Sequence, residues 1–572
     1  MRPRVFLRPS RLLSSVLALA ALVAPPAFAG EAFAGVCEEL GGARATAPDV
    51  LENLSARAAP ELEGTPHIGR ILVRRQQIFD PTDPKEDNPL YRLANDLHLV
   101  SREQAVTELL PFVVGDAYDA EKLHEAERIL RRSRAFYDAR VMPVQRCGDA
   151  VDVAVVTRDV WSIVPTGDVN RSGGESSYAV GVKDVNLFGR NETLGAYFES
   201  GVDRDGVTAF YEDPALLGSR WTLGLVGADN SDGGRAVVDL RKPYRALDDR
   251  DTAGFLALYD ERVQPLFDTG LRVAEFQQRT VTAQAFMGRS TGRVDGNVTR
   301  FSWGIAHFDH EFDREPGLLQ PVQLADDRQA TYPFVAMELL EDEWGATNNL
   351  DIIQITEDVY LGRRITASLG ASPDALGADD GRVLFSASLE DTAQPAEDWL
   401  LIWSAAVDGV VTTSDGEAEN LIAELGGRAY YRQNDSFALF GSLDGTWTNG
   451  LTRDRQLLLG GDNGLRGYPQ RFQDGDRRLR MRLEQRWFSG AHPFQLFRFG
   501  AALFLDAGRS WFDDDPDDDE SGWLANVGVG LRISSTRFPT NSMVHIDFAV
   551  PLRTGGRDVD SVQVSLTLKE TF

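Results

Sequence analysis

The chain has 572 residues and a formal charge of −28, from 87 acidic against 59 basic side chains. So acidic a surface excludes nucleic acid as a partner, because that role needs a basic footprint, and the length places no limit on core size. No apolar run after the first 29 residues approaches the ~18 needed for a spanning helix, which leaves an exported soluble protein or a β-barrel.

Residues 1–29 read as a secretory signal. Arg2, Arg4, Arg8 and Arg11 precede an apolar run from Leu12 to Ala24, and Ala27-Phe28-Ala29 offers a small-residue cleavage site, repeated at Ala32-Phe33-Ala34. Its removal takes four arginines and no acid, moving the formal charge from −28 to −32. Residues 30–67 read as a flexible or weakly helical lead-in. The two cysteines, Cys37 and Cys147, have no metal-type spacing. After export they either pair, tying the N-terminus to the first folded unit, or stand as isolated thiols.

Residues 68–160 have a mixed α/β pattern. IGRILVRRQQIF (68–79) alternates like a strand. A polar stretch, DPTDPKEDNPLYRLANDL (80–97), reads as a loop insertion before the helix SREQAVTELL (101–110), with Ser101 as its cap. DAEKLHEAERILRRS (119–133) sets Leu123, Ala126, Ile129 and Leu130 on one helical face. AFYDARVMPVQRC and AVDVAVVTRDV then form two strands across a Gly148-Asp149 turn.

From about 161 to 572 alternation takes over. In RLRMRLEQRWF (478–488) Leu479, Met481, Leu483 and Trp487 share one face, and Arg478, Arg480, Arg482, Glu484 and Arg486 the other. FRFGAALFLDAG (497–508) sets Phe497, Phe499, Ala501, Leu503 and Leu505 opposite Asp506. SVQVSLTLKETF (561–572) aligns Val562, Val564, Leu566, Leu568 and Phe572 against polar neighbours. Segments of about ten residues with one apolar and one polar face are the pattern of lipid-facing strands around a polar lumen. A closed barrel also leaves no backbone edge unpaired in lipid. At roughly 25 residues per strand with its loop, this stretch holds about sixteen strands. Stacked soluble sandwiches would bury these polar faces or expose these apolar ones.

In this order the motifs are similar to those of the BamA/TamA superfamily of outer-membrane assembly and transport barrels, also called the bacterial surface antigen family, which includes the two-partner secretion transporters. The strand, helix, helix, strand, strand unit (68–160) resembles one POTRA domain, including VVGDAYDAEKLHEAERILRRSRAFYDARV. DVNLFGRNETLG (184–195) and YEDPALLGSR (211–220) resemble the first barrel strands, and FLDAG (504–508), VGVGLRI (527–533), DFAVPL (547–552) and a terminal Phe572 follow. GLRGYPQ (464–470) resembles the RGF/RGY motif carried on a loop folded into the lumen, whose arginine contacts acids on the next strands. The resemblance thus implies that Leu465, Arg466, Gly467 and Tyr468 form the lumenal loop motif, with Arg466 on Glu484, Asp506 or both. The strand parity independently sets both carboxylates on polar faces, and Gly464 and Gly467 would let the backbone approach the wall.

The resemblance further implies a Gram-negative outer-membrane protein with its POTRA domain in the periplasm. Its partners would be the lipid bilayer, an unfolded or β-rich polypeptide client, and the cell's assembly machinery during its own insertion. That machinery would read Leu566, Leu568 and Phe572 as a C-terminal signal. A client would add to a POTRA strand edge, expected near Leu72, Val141 and Val155. One POTRA unit is fewer than the better-known members carry. A non-transporting anchor or docking barrel, and a simple diffusion pore, are the alternative functions.

Signals for chemistry are weak. GRSTG (288–292) matches GxSxG around Ser290, but strand-like flanks replace the strand-then-helix elbow, and a hairpin turn is expected. In HFDHEFD (307–313) His307 and His310 face opposite sides of a strand, so the cluster does not converge on a metal. DDDPDDDES (513–521) lacks EF-hand spacing and reads as a solvated loop. With neither a P-loop nor a Rossmann fingerprint, the sequence implies no enzyme, cofactor or metal.

Overall fold

The structure, a computed structural model, describes residues 37–40, 62–378, 380–513, 522–539, 542–554 and 556–570. The signal segment, Phe572 and nearly all of the acidic run at 513–521 lie outside them.

The N-terminal unit contains β1 (Cys37–Glu39), β2 (His67–Gln76), α1 (Pro89–Leu97), α2 (Glu103–Thr107), α3 (Ala120–Arg132), β3 (Phe136–Cys147) and β4 (Ala150–Asp159), with sheet order β1-β3-β4-β2. α3 starts where the Asp119 carboxylate accepts from the amides of Glu121 and Lys122. Its Leu123, Ala126 and Leu130 are buried against Ile68, Phe136 and Val153. Each such leucine contributes about 1.5–3 kcal/mol of apolar burial.

Several expectations are corrected in this unit. Within the lead-in, expected to be flexible or weakly helical, Cys37–Glu39 is a strand that pairs with β3, and Cys37 is disulfide-bonded to Cys147. The 80–97 insertion holds a helix: the Asn88 side chain caps the amides of Leu90 and Tyr91, and Pro89 presets the first turn. Tyr91 then stacks on Phe79 while Asn95 bonds both the amide and the carbonyl of Phe79. Ser101 does not cap α2; its amide and hydroxyl both donate to Asp159 at the end of β4, and α2 is only five residues long.

Val141 and Val155 are not at an edge either. β4 is central, and β3 is covered by β1 over Gln145–Cys147. Farther along β3, the Val141 amide donates to Glu127 and the Ala139 carbonyl accepts from Arg131. The open edge is β2 beyond Ile68, since His67 and Ile68 pair with residues 115–117; along it Arg70, Leu72, Arg74 and Arg75 are exposed.

A circular antiparallel sheet follows. Its first half comprises β5 (Ile163–Ser172), β6 (Glu175–Leu187), β7 (Glu192–Ser200), β8 (Asp205–Asp213), β9 (Thr222–Asn230), β10 (Gly233–Lys242), β11 (Asp251–Asp268), β12 (Leu271–Val294), β13 (Asn297–Asp313) and β14 (Arg328–Glu341). The small hairpin β15 (Trp344–Thr347) and β16 (Glu357–Tyr360) stands apart from it. The second half comprises β17 (Arg364–Ser372), β18 (Arg382–Ala396), β19 (Trp399–Thr412), β20 (Ala418–Asn434), β21 (Phe437–Asn449), β22 (Arg477–Phe488), β23 (Phe497–Trp511), β24 (Leu524–Ser535), β25 (Ser542–Pro551) and β26 (Gln563–Glu570). β26 returns to β5 through one partner pair, Leu566 with Arg171.

This makes twenty strands among the described residues, not about sixteen. The excess arises because connections such as 173–174, 231–232, 295–296 and 435–436 are two-residue turns, so a strand and its connection average about twenty residues. DVNLFGRNETLG spans the β6–β7 turn and YEDPALLGSR the β8–β9 turn, both within the first five strands of the barrel. GRSTG lies within β12, at a register shift between Ser290 and Arg293, while the turn falls at 295–296. The Ser290 hydroxyl accepts from the Gly292 amide, and no helix follows.

The outer face is apolar. Met481, Leu483, Trp487, Leu503, Leu505, Val529 and Phe548 are exposed, whereas Glu484, Asp506, Asn526 and Asp547 on the opposite face are buried. The N-terminal unit is fixed to one end of this sheet. Arg131 grips Asp358 of β16 with Nε at 2.9 Å and Nη2 at 2.6 Å, and the Leu247 amide in the β10–β11 turn donates to Glu125 at 2.7 Å. The Arg102 amide donates to Gly189 O in the β6–β7 turn, and the Trp161 amide to Arg537 O in the β24–β25 turn, both at 2.7 Å.

Candidate functional site

The connection between β21 and β22, residues 450–476, enters from the end opposite the N-terminal unit. Gly450, Gly460, Gly461, Gly464, Gly467, Pro469 and Gly475 keep it from extending either strand. It folds back on itself through the Leu459–Gln473 bridge. Leu459, Leu465, Tyr468 and Phe472 bury themselves with Leu524 in a small apolar cluster against the wall. The Tyr468 hydroxyl lies 2.7 Å from Ala525 O and 2.6 Å from Arg553 O, and it accepts from the Ala525 amide at 2.9 Å.

Those contacts hold Arg466 over three lumenal carboxylates. Its Nε and Nη2 donate to Oδ2 and Oδ1 of Asp506 at 2.8 and 2.7 Å, a side-on bidentate pair. Its Nη1 donates to Glu484 Oε1 at 2.9 Å and to Asp547 Oδ2 at 3.3 Å. The guanidinium also stacks on Phe504, with Cζ 3.4 Å from the ring centre. All four charged groups are buried.

Each carboxylate also meets a second arginine: Arg482 on Asp506 at 3.3 Å, Arg486 on Glu484 at 3.0 Å and Arg532 on Asp547 at 2.5 Å. Asn526 Nδ2 donates to Asp506 Oδ2 at 3.0 Å. Removing one member of such a buried network strands the others, which costs about 3–5 kcal/mol. Two glycines let the backbone reach this position. Gly464 has φ of +114°, and a Cβ at Gly467 would stand 2.5 Å from Asn526 Cβ.

The loop is tied to the far wall as well. Gln456 exchanges two hydrogen bonds with the backbone of Phe267, at 2.8 and 2.6 Å, and Asp474 accepts from the Thr269 amide at 2.8 Å. Arg471 pairs with Asp203 in the β7–β8 turn, and Arg328 grips Asp454 with both terminal nitrogens at 3.1 and 3.0 Å. Phe267 belongs to β11 and Asp506 to β23, ten strands apart in a ring of twenty, so the loop crosses the lumen between opposite walls.

Leu465, Arg466, Gly467, Tyr468, Glu484 and Asp506 therefore meet in one site. Cys37 and Cys147 are joined elsewhere, in the N-terminal unit. Leu566 and Leu568 lie on β26, partnered with Ile546 and Val544 of β25. Asp547, Asn526 and Phe504 belong to the site without having been singled out in the sequence. Asp547 carried a usable signal: in DFAVPL it alternates with the outward Phe548 and Val550. His307 and His310 bond separately to Thr331 and Thr280, and no group of three or more potential metal ligands occurs among the described residues.

No family model matches the chain. The outer membrane transporter CdiB of Dickeya dadantii (strain 3937) is 29% identical over 135 residues, covering 22% of this chain and 24% of that protein. The chain thus spans about a quarter of the length of the curated relative it matches. Among solved structures, BamA from Haemophilus ducreyi lacking POTRA domains 1–3 has a TM-score of 0.35 and 14% identity, covering 87% of this chain and 84% of that one. CdiB from Acinetobacter baumannii has a TM-score of 0.45 and 11% identity, covering 88% and 74%.

Proposed function

We propose, from the resemblance of its motifs to those of the BamA/TamA superfamily of outer-membrane assembly and transport barrels, that this chain translocates polypeptides across the outer membrane of a Gram-negative bacterium or inserts them into it. In this reading the twenty-stranded sheet spans the bilayer with its apolar face outward. The unit from His67 to Asp159 serves as a single periplasmic POTRA domain, and the signal segment directs export.

The client is an unfolded or β-rich polypeptide that adds to the open edge of β2 around Leu72, because β1 and the side chains of Glu127 and Arg131 already occupy the β3 edge. It then passes through the lumen, or leaves at the single-pair junction of β26 and β5. Either route requires the 450–476 loop to shift, and the energy comes from client folding. Leu566, Leu568 and Phe572 serve earlier, as the signal for the chain's own assembly.

The observation that carries this reading is the Arg466 joint, which holds a loop across the lumen by side-chain hydrogen bonds and ion pairs rather than by a strand ladder. A simple diffusion pore has no use for such a crossing, and it supports a low resting conductance. A barrel serving only as an anchor would leave the joint without a task. The test compares outer-membrane and secreted proteins of cells lacking the chain with those complemented by the wild type or by Arg466→Ala. Transport predicts that at least one polypeptide disappears and returns only with the wild type. Unchanged protein profiles in all three strains would contradict it.

A further inference from the structure

The helix in the 80–97 insertion buries only one of its faces. Tyr91 and Asn95 turn inward, with the Tyr91 ring centre 4.1 Å from that of Phe79. Leu90, Leu93 and Leu97 share a second face and remain 68%, 52% and 66% exposed. Leu99, just past the helix, is 61% exposed. Arg92 and Asp96 form a third, polar face.

Its contacts place this segment along a particular arc of the rim. The Tyr91 hydroxyl donates to Phe494 O in the β22–β23 turn, and Glu86 pairs with Arg537 in the β24–β25 turn. Ser101 accepts from Asn186 at 2.8 Å beside the β6–β7 turn. In the ring these turns flank the β26–β5 junction on both sides. Phe494 and Phe188, at the turns bounding the arc, are also exposed. Exposed apolar side chains are thus found on the outer face of the barrel, at the rim turns bounding this arc, one of which Tyr91 contacts, and on α1 itself.

From this placement and exposure we infer that α1 is an interfacial helix whose Leu90, Leu93 and Leu97 rest in the periplasmic leaflet of the bilayer beneath the β26–β5 junction. A short helix with leucines on one side and charge on another lies in the headgroup region rather than crossing it. Anchored there by Tyr91 and Glu86, it would hold the N-terminal unit against the membrane next to the least-paired part of the sheet. The inference rests on the barrel being membrane-embedded.

The test uses the full chain in vesicles of phosphatidylethanolamine and phosphatidylglycerol. Nitroxide labels are placed singly at Leu93→Cys, Leu97→Cys, Arg92→Cys and, on the barrel's outer face, Leu503→Cys. Collision with oxygen reports lipid, and collision with a water-soluble nickel complex reports solvent. Positions 93 and 97 should match 503, with an oxygen-to-nickel ratio several-fold above that at 92. Labels at 93 and 97 that behave like 92, while 503 reads lipid, would overturn the interfacial helix alone. Labels at 93 and 97 shielded from both agents would overturn it in favour of a protein seated on the leucines. A solvent-like reading at 503 would overturn the membrane reading and the inference with it.

Discussion

Arg466 and Asp506 are forty residues apart in sequence and meet side-on, with donor–acceptor distances of 2.8 and 2.7 Å, inside the barrel. Arg466→Ala withdraws the central cation from three carboxylates while leaving Arg482, Arg486 and Arg532 on the wall. The expected cost, about 3–5 kcal/mol, falls on the seating of the loop, because the strand ladders do not depend on it. The barrel should insert, the 450–476 loop should become sensitive to protease, and transport should fail. Arg466→Lys keeps the charge but loses the fork, and should lie between the two in proteolysis rate.

Gly467→Ala tests the same joint without touching its charge. The added Cβ would meet Asn526 Cβ at 2.5 Å, so the loop must withdraw from β24. The variant should make the same loop sensitive to protease, to a smaller extent than Arg466→Ala. Overpacking of this kind costs about 1–3 kcal/mol, so some loop seating should survive. Wild-type proteolysis in Gly467→Ala would show that the close approach to Asn526 does not govern the loop.

At the end of the barrel that carries the N-terminal unit, burial pushes the Glu357 carboxyl from 4.5 up to about 7, with Asp351 adding to the rise against the amides it accepts from Leu350, Asp351 and Ile352. A carboxyl raised in the folded state binds its proton more tightly there than in the unfolded chain. Its contribution is full below about 4.5 and is lost as the pH rises through about 7. Amide exchange over residues 350–358, next to the Arg131–Asp358 pair, should therefore accelerate as the pH passes about 7. Glu357→Gln should abolish that dependence, though it gives up an acceptor. An unchanged pH profile in the variant would assign the effect to another group.

The Cys37–Cys147 disulfide closes a loop of 110 residues and fixes β1 along β3. Replacing both cysteines by serine should destabilise the N-terminal unit by about 2–5 kcal/mol. It should also release β1, which has only three residues to hold it. Thermal unfolding of the full chain should show a lower transition for this unit, with the barrel transition unmoved. A photoreactive residue at Gln145 should then gain crosslinks to polypeptides that the disulfide-bonded protein does not give.

Much of the site was legible because a strand's period of two is hard to disguise. Glu484 lies among outward Met481, Leu483 and Trp487, and Asp506 follows Leu503 and Leu505. That period says which face a residue takes, not which strands a loop reaches, so the ties to Phe267, Thr269 and Asp203 on the far wall could not be read. Phe504 was hidden for the opposite reason: it is an apolar residue on a polar face, used there as a platform for Arg466. The strand count ran low because two-residue turns, such as 295–296 after GRSTG, join long strands with little punctuation. The helix at Pro89–Leu97 was masked by the acidic, proline-bearing stretch before it, although Asn88-Pro89 is a sound helix start.

The central claim is that one polypeptide travels from the β2 edge to the loop inside the barrel. In-cell photo-crosslinking from Leu72 on β2 and from Asn463 beside Arg466, each followed by mass spectrometry, tests it most directly. The account predicts the same polypeptide at both positions, with the Asn463 crosslink lost in Arg466→Ala. A folded periplasmic protein captured only at Leu72, with nothing at Asn463, would contradict transport and leave a docking barrel in its place.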